Sequence, residues 1–329
     1  MSCIRRKLNG SIVQVSGAKR CFSACLHAGG LRVGTIDQVI RVAEARQCKA
    51  LSRIADDICS RERARLVLLA GGSSSGKTTT ATRICTQLMV DDRAAVQLST
   101  DDYFVGDDEN PRNPDGTLDY EHVECVDIPA LTADVVTLLR GEGIARRRFD
   151  FVNHRPFYPG DELWLPAGGM LVIEGIHALN PRLTELIDDA VKYRIYIEPR
   201  PSVELFMDIK PSASDARLLR RLVRDNQFRK VNPAKTILRW PSVLAGEKKW
   251  IEPFRGNADA VFDSYLVYEM LVLKNYVGGL VELARKELGD LPQLMNLRRM
   301  LGVVEAVDAT RVPGDSILRE TIGGSQLDY

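Results

Sequence analysis

Leu68-Leu69-Ala70-Gly71-Gly72-Ser73-Ser74-Ser75-Gly76-Lys77-Thr78 is the stretch on which the reading of this chain turns. It is a complete G-x-x-x-x-G-K-T loop, and it predicts a site for a nucleoside triphosphate. The glycines let the backbone turn tightly enough for successive N–H groups to face one concavity. Lys77 brings a point charge to the outer phosphates, and the Thr78 hydroxyl is a ligand for Mg²⁺. The flanks agree with that role. Arg65 to Ala70 reads as a buried strand entering the loop, and Thr78 to Met89 reads as a helix whose N-terminus faces the phosphates. The predicted ATP-binding set is therefore Gly71, Gly72, Ser73, Ser74, Ser75, Gly76, Lys77, Thr78 and Thr79.

Outward from the loop, apolar residues recur at helical spacing from Ile36 to Arg61. Strands are expected at Ala94–Ser99, Gly169–Glu174, Val191–Ile197 and Ala258–Phe262, and helices at Asp127–Arg140, Ser214–Arg229 and Val267–Lys286. Apolar strands alternating with helices imply an α/β fold: a parallel sheet of P-loop NTPase type with helices on both faces. Ligands of such sheets bind at the carboxyl ends of the strands. The chain divides into a basic, unstructured leader (1–30), a helical segment (31–62), a P-loop kinase domain (63–290) and a C-terminal extension (291–329).

With 45 basic and 44 acidic residues the net charge is +1, which does not suit a nucleic-acid binder or a polybasic membrane protein. No apolar run is long enough to span a bilayer. The seven cysteines sit at irregular spacings without a C-x-x-C pair, as reduced intracellular thiols do. A cytoplasmic location is expected. Before Asp37, however, Arg5, Arg6, Lys7, Lys19, Arg20 and Arg32 occur without an acidic residue, the composition of a mitochondrial transit peptide or of a short basic tail.

A P-loop alone does not separate a kinase from a switch GTPase. The strand ending at Ser99 delivers Asp101 to the phosphate end of the sheet, and the strand ending at Glu174 delivers a second carboxylate to the same edge. Phosphoryl transfer needs a divalent ion and a group that receives the acceptor's proton. Asp101 suits the acceptor, and Thr78, Asp101 and Glu174 suit the metal. No Asn is followed by Lys, so the guanine-reading N-K-x-D is absent and ATP is the expected nucleotide. Arg217, Arg220, Arg221 and Arg224 fall at i, i+3, i+4 and i+7, along one helix face. Planar guanidiniums suit phosphate oxygens, which makes this helix a candidate lid; the alternative is a solvated face paired locally with Asp215 and Asp225.

These motifs resemble those of the uridine kinase and phosphoribulokinase family. The resemblance spans about residues 36–325 and includes Ala70–Thr79, Ser99–Phe104, Leu118–Glu121, Phe149–Phe151, Val172–Pro181, Asp215–Asp225, Trp240–Val243 and Ser316–Ser325. It implies that Asp101 is the catalytic base beside Mg²⁺, that Glu174 helps hold the metal, and that Lys77, Arg217, Arg220 and Arg221 assist transfer beneath an arginine lid. It further implies that Asp119 binds ribose hydroxyls, that Phe149, Phe151 and His154 surround the base, and that Arg224 lies near both nucleotide and acceptor. Phe149 stands where the family has a tyrosine, which removes one polar contact to a pyrimidine. The expected function is ATP-dependent phosphorylation of the 5′-hydroxyl of uridine or cytidine. Its rivals are a kinase for another sugar, such as a pentose phosphate, and an ATP-binding regulatory protein with little turnover. The expected partners are ATP and a small acceptor, with no membrane and no nucleic acid, and a homo-oligomer is compatible with the sequence.

Overall fold

Leu66 to Ala70 are all buried, as a strand covered on both faces must be. The computed structural model describes residues 6–8, 11–13, 35–151, 153–201 and 209–328. Its elements in chain order are β1 (Arg6–Leu8), β2 (Ser11–Val13), α1 (Ile36–Ser60), β3 (Leu66–Ala70), α2 (Lys77–Val90), β4 (Ala95–Ser99), α3 (Ile128–Leu139), β5 (Ile144–Ala145), β6 (Arg148–Asp150), β7 (Arg155–Phe157), β8 (Glu162–Leu163), β9 (Met170–Glu174), β10 (Lys192–Glu198), α4 (Ala213–Phe228), α5 (Pro233–Trp250), β11 (Ala260–Asp263), α6 (Glu269–Leu288), α7 (Pro292–Gly302) and α8 (Arg319–Ile322).

Five strands form one sheet in the order β11-β10-β3-β9-β4, and every neighbouring pair is parallel. Alternation along β3 divides the core. Val67 and Leu69 join one apolar cluster with residues of α1, α2, α4 and α6, while Leu66, Leu68 and Ala70 join another with Leu131, Val135 and Leu138 of α3. This is the P-loop NTPase architecture, with helices on both faces. No helix among the described residues is long and apolar enough to cross a membrane.

The expected strands and helices occur with ends shifted by one or two residues, and α1 begins with a capping box between Thr35 and Gln38. The long helix α5 was not anticipated. Pro241 lies inside it and breaks the periodic signal, although Asn232 caps its start and Pro233 occupies its first turn, where the missing N–H has no helical partner. Most of the basic leader lies outside the described residues. Within it, β1 and β2 pair antiparallel where no element was expected. The sequence between them is Asn9-Gly10, a dipeptide that favours two-residue hairpin turns.

Candidate active site

Parallel pairing brings the carboxyl ends of β3, β4 and β9 to one rim. Glu174 lies opposite Leu69 on one side and Ser99 on the other. The P-loop leaves β3 at this rim and curls through Ser74 at φ 61° and Gly76 at φ 90°. Positive φ at Gly76 explains the glycine, as does the Ile317 side chain filling the space a Cβ would need. Gly175 lets Thr100 approach the end of β9 in the same way.

Lys77 is buried, and its Nζ donates to the Gly72 carbonyl across the loop at 3.3 Å. Thr78 Oγ1 and Ser99 Oγ both donate to Glu174 Oε1, at 3.2 and 2.7 Å. Burial raises the Glu174 carboxyl to about 7; the charge of Asp101 adds to the shift and that of Lys77 opposes it. Asp101 is half-buried at the start of the turn after β4, and no side chain among the described residues hydrogen-bonds its carboxylate. Its neighbour Asp102 instead pairs with Arg148 at 3.0 Å. The two adjacent aspartates thus have different surroundings, one open to the rim and the other held in an ion pair.

A cation fits between these groups. Glu174 is buried, neither it nor Asp101 has a cationic partner within ion-pair distance among the described residues, and Thr78 adds a hydroxyl oxygen. Hard oxygen donors of this kind suit Mg²⁺, with nucleotide phosphates completing the shell. Among the described residues no three His, Cys, Asp or Glu side chains form a self-sufficient metal nest.

All four arginines of the α4 stripe reach the P-loop, by different means. Arg217 donates to the Ser73 carbonyl at 2.9 Å and makes a two-pronged pair with Glu247 of α5. Arg220 donates to the Ser75 carbonyl at 3.2 Å and pairs with Glu269 at the start of α6. Arg221 and Arg224 donate to the Ser73 hydroxyl, at 2.9 and 3.4 Å. Of the local pairs considered for a solvated face, Arg221–Asp225 forms at 3.2 Å, whereas Asp215 completes the capping box of α4 with Ser212. Among the described residues Arg224 alone of the four has no carboxylate within ion-pair distance, and its Nε is buried without a partner. The stripe is therefore no solvated surface: Arg217 and Arg220 are clamped between helices, and Arg221 and Arg224 offer the less compensated charge.

On the acceptor side the predicted residues are not all brought together. Asp119 Oδ1 accepts the Glu121 N–H at 3.1 Å, so this carboxylate closes a local turn. Glu121 lies close enough to the loop for the charges of Arg221, Arg217 and Lys77 to act on its carboxylate. Burial raises it to about 7, Arg221, Arg217 and Lys77 draw it down, and Glu247 pushes it up. Its Oε2 is buried without a hydrogen-bond partner. The sequence signal was present, since Glu121 ends the motif Leu118–Glu121, but spacing alone does not say which of two nearby carboxylates turns inward. Phe149 is buried and packs edge-on against Phe104 and Phe151, with ring centroids 5.8 and 5.1 Å apart. Phe151 is 46% exposed, with Arg229 above its ring at 5.8 Å. His154 holds a left-handed backbone (φ 51°), and its Nδ1 lies 3.2 Å from Asp107, which also accepts the Tyr120 hydroxyl.

A strand, a phosphate loop and a helix at the carboxyl edge of a parallel sheet, with two carboxylates beside the loop, define a P-loop phosphotransferase. The chain belongs to the Phosphoribulokinase / Uridine kinase family, whose profile matches residues 66–269. It is 29% identical over 194 residues to a uridine kinase of Deinococcus deserti, covering 59% of this chain and 84% of the relative. It is 26% identical over 202 residues to a uridine kinase of Lactobacillus helveticus, covering 61% and 86%. A solved structure of a candidate fructose transport system kinase from Silicibacter sp. aligns over 64% of this chain and 98% of its own, with 22% identity and a TM-score of 0.48. The protein is an ATP-dependent kinase, and its acceptor is a nucleoside or a sugar.

Proposed function

We propose that this kinase transfers the γ-phosphoryl group of ATP to the 5′-hydroxyl of a pyrimidine ribonucleoside, uridine or cytidine. The observation that carries the reading is the contrast at the end of β4: Asp101, beside Glu174, has no side-chain hydrogen bond or ion pair among the described residues, while Asp102 is held by Arg148. A carboxylate free of side-chain partners at this rim can receive the proton of an attacking hydroxyl. The P-loop amides and Lys77 hold the outer phosphates, and Arg221 and Arg224 offset charge that spreads over the transferred group. Thr78, Glu174 and Asp101 would hold Mg²⁺, which neutralises phosphate charge when bound. Arg217 and Arg220 act by fixing the loop from behind.

For the acceptor, Glu121 is the group we assign to the ribose hydroxyls, with Asp119 shaping the turn that presents it. The rings of Phe104, Phe149 and Phe151 supply a surface on which a base can stack. His154, oriented by Asp107, supplies a polar edge. A panel of nucleosides and pentose derivatives, assayed for ADP release, tests the reading. Uridine and cytidine are expected to support turnover well above the acceptor-free rate. Turnover with a base-free sugar phosphate and not with nucleosides would move the assignment to a pentose kinase, and ATP hydrolysis indifferent to any acceptor would remove the nucleoside site.

A further inference from the structure

The first turn of the P-loop helix carries an anion from the chain itself. Glu320 Oε2 accepts the backbone N–H of Thr79 at 3.3 Å and the Thr79 hydroxyl at 2.9 Å. These are the only hydrogen bonds to the Glu320 carboxylate among the described residues, and no cation pairs with it. Thr80 N–H already bonds the Gly76 carbonyl at 3.1 Å, so Thr79 belongs to the opening turn whose donors have no helical acceptor. In a phosphate loop these donors, together with those of the loop, are the ones that anions take.

Glu320 is brought there by a tightly anchored segment. Ser316, Ile317 and Leu318 are buried, and Ile317 packs over Gly76 of the loop. Arg319 ties the segment into a knot by donating to the carbonyls of Ala309, Val312, Pro313 and Gly323. Tyr268 meets Ser316 at 3.2 Å and so joins the knot to the junction before α6. A carboxylate placed so deliberately at a phosphate-binding turn could either brace Thr79 for the nucleotide or stand in for a phosphate oxygen. Electrostatics separates the two. A brace needs only an acceptor atom, whereas Glu320 brings a carboxylate that makes no ion pair among the described residues, with the Arg224 charge acting on it from further off, to a site meant for a polyanion.

We propose that Glu320 is an internal stand-in for nucleotide phosphate. It competes with nucleotide phosphate for the Thr79 donors, gives way when nucleotide enters, and thereby sets nucleotide affinity and links occupancy of the P-loop to the position of α8. The inference rests on reading Thr79 as part of the nucleotide site.

Affinity for ADP in the presence of Mg²⁺, measured by calorimetry on the full chain, tests it. Glu320→Gln keeps an acceptor for Thr79 but removes the charge, and Glu320→Ala removes both. Each is expected to bind ADP about five- to tenfold more tightly than wild type, the scale of one like-charge contact at about 4 Å screened as in bulk water. In the wild type, ADP is expected to speed amide exchange across residues 318–323. Unchanged or weaker ADP binding by Glu320→Gln, or unchanged exchange in that segment at ADP saturation, would overturn the proposal. Lys77→Ala, expected to lose ADP binding, separates the two levels: if it bound ADP like wild type, the P-loop reading itself would fall and the role of Glu320 with it.

Discussion

At the nucleotide end of the cleft, side chains are buried and held by partners from distant elements: Arg217 by Glu247, Arg220 by Glu269, and Thr79 by Glu320. At the proposed acceptor end the groups come from the loops around Asp107 and Tyr120 and from the short β6–β7 hairpin, Phe157 and Tyr158 are exposed, and His154 meets Asp107 and the Tyr120 ring. The difference follows from what each end must recognise. Phosphates are bound by backbone N–H groups, which any sequence can supply once the loop is shaped, so the framework is rigid and generic. An acceptor is read by side chains on loops, which can change without disturbing the sheet.

The strongest way to break this comparison is at the chemistry itself. Lys77→Ala is expected to abolish transfer, and Asp101→Asn to lower kcat by about 10²–10⁴-fold with little change in fold. Asp102→Asn should lose far less kcat and should instead weaken the link to Arg148. Steady-state kinetics and thermal melts on both aspartate variants check this, and reversed losses would mean that the roles of the two residues are exchanged.

A second break concerns the clamps. Arg217→Ala leaves Glu247 buried without its cation, and losing one partner of a buried pair costs about 3–5 kcal/mol. Arg224→Ala, lacking such a partner, should leave the unfolding midpoint close to wild type while raising the KM for ATP. Urea unfolding beside ATP kinetics separates them. Equal destabilisation by both variants would end the distinction between structural and phosphate-facing arginines.

Glu121 offers a smaller, pH-dependent effect. Its carboxyl is raised to about 7 from an ordinary 4.5, because burial outweighs the attraction of Arg221, Arg217 and Lys77, and Glu247 adds to the rise. The folded protein therefore holds this proton more tightly than the unfolded chain does. Stability from it is fully present below the ordinary value and is lost as pH rises through the folded one. Relative to Glu121→Gln, the wild type should become less stable between about pH 5 and about pH 8. Parallel curves for the two proteins in denaturant series across this range would contradict the burial argument.

The smallest effect is expected at His154. Replacing it with alanine should leave the fold and ATP affinity intact and weaken only acceptors recognised by a base edge, by about 1–3 kcal/mol if a buried partner is left unpaired. Competition between uridine and a base-altered riboside measures it, and equal losses for both would assign His154 to the loop rather than to the base.

Much of the nucleotide end was legible because its signals are contiguous. Leu66 to Thr78 contain strand, turn and helix start in one run, and the apolar stretches ending at Ser99 and Glu174 point to strands whatever surrounds them. Helix α5 was not legible, since Pro241 interrupts its period, and with it went Glu247, the buried partner of Arg217. The turn that joins Asp119 Oδ1 to the Glu121 N–H was equally hidden, because both residues are carboxylates two positions apart and spacing does not say how either is held.

The sequence by itself determined the phosphate loop, the parallel sheet that carries it, the two strand-end carboxylates and the family, all of which depend on residue type over short spans. Tertiary structure alone decided which charges are compensated. Glu320 lies 241 residues from Thr79, and Glu269 lies 49 from Arg220. No local pattern encodes such pairings, because a charge at a helix surface finds its partner only after the apolar faces have packed and fixed which helices are neighbours.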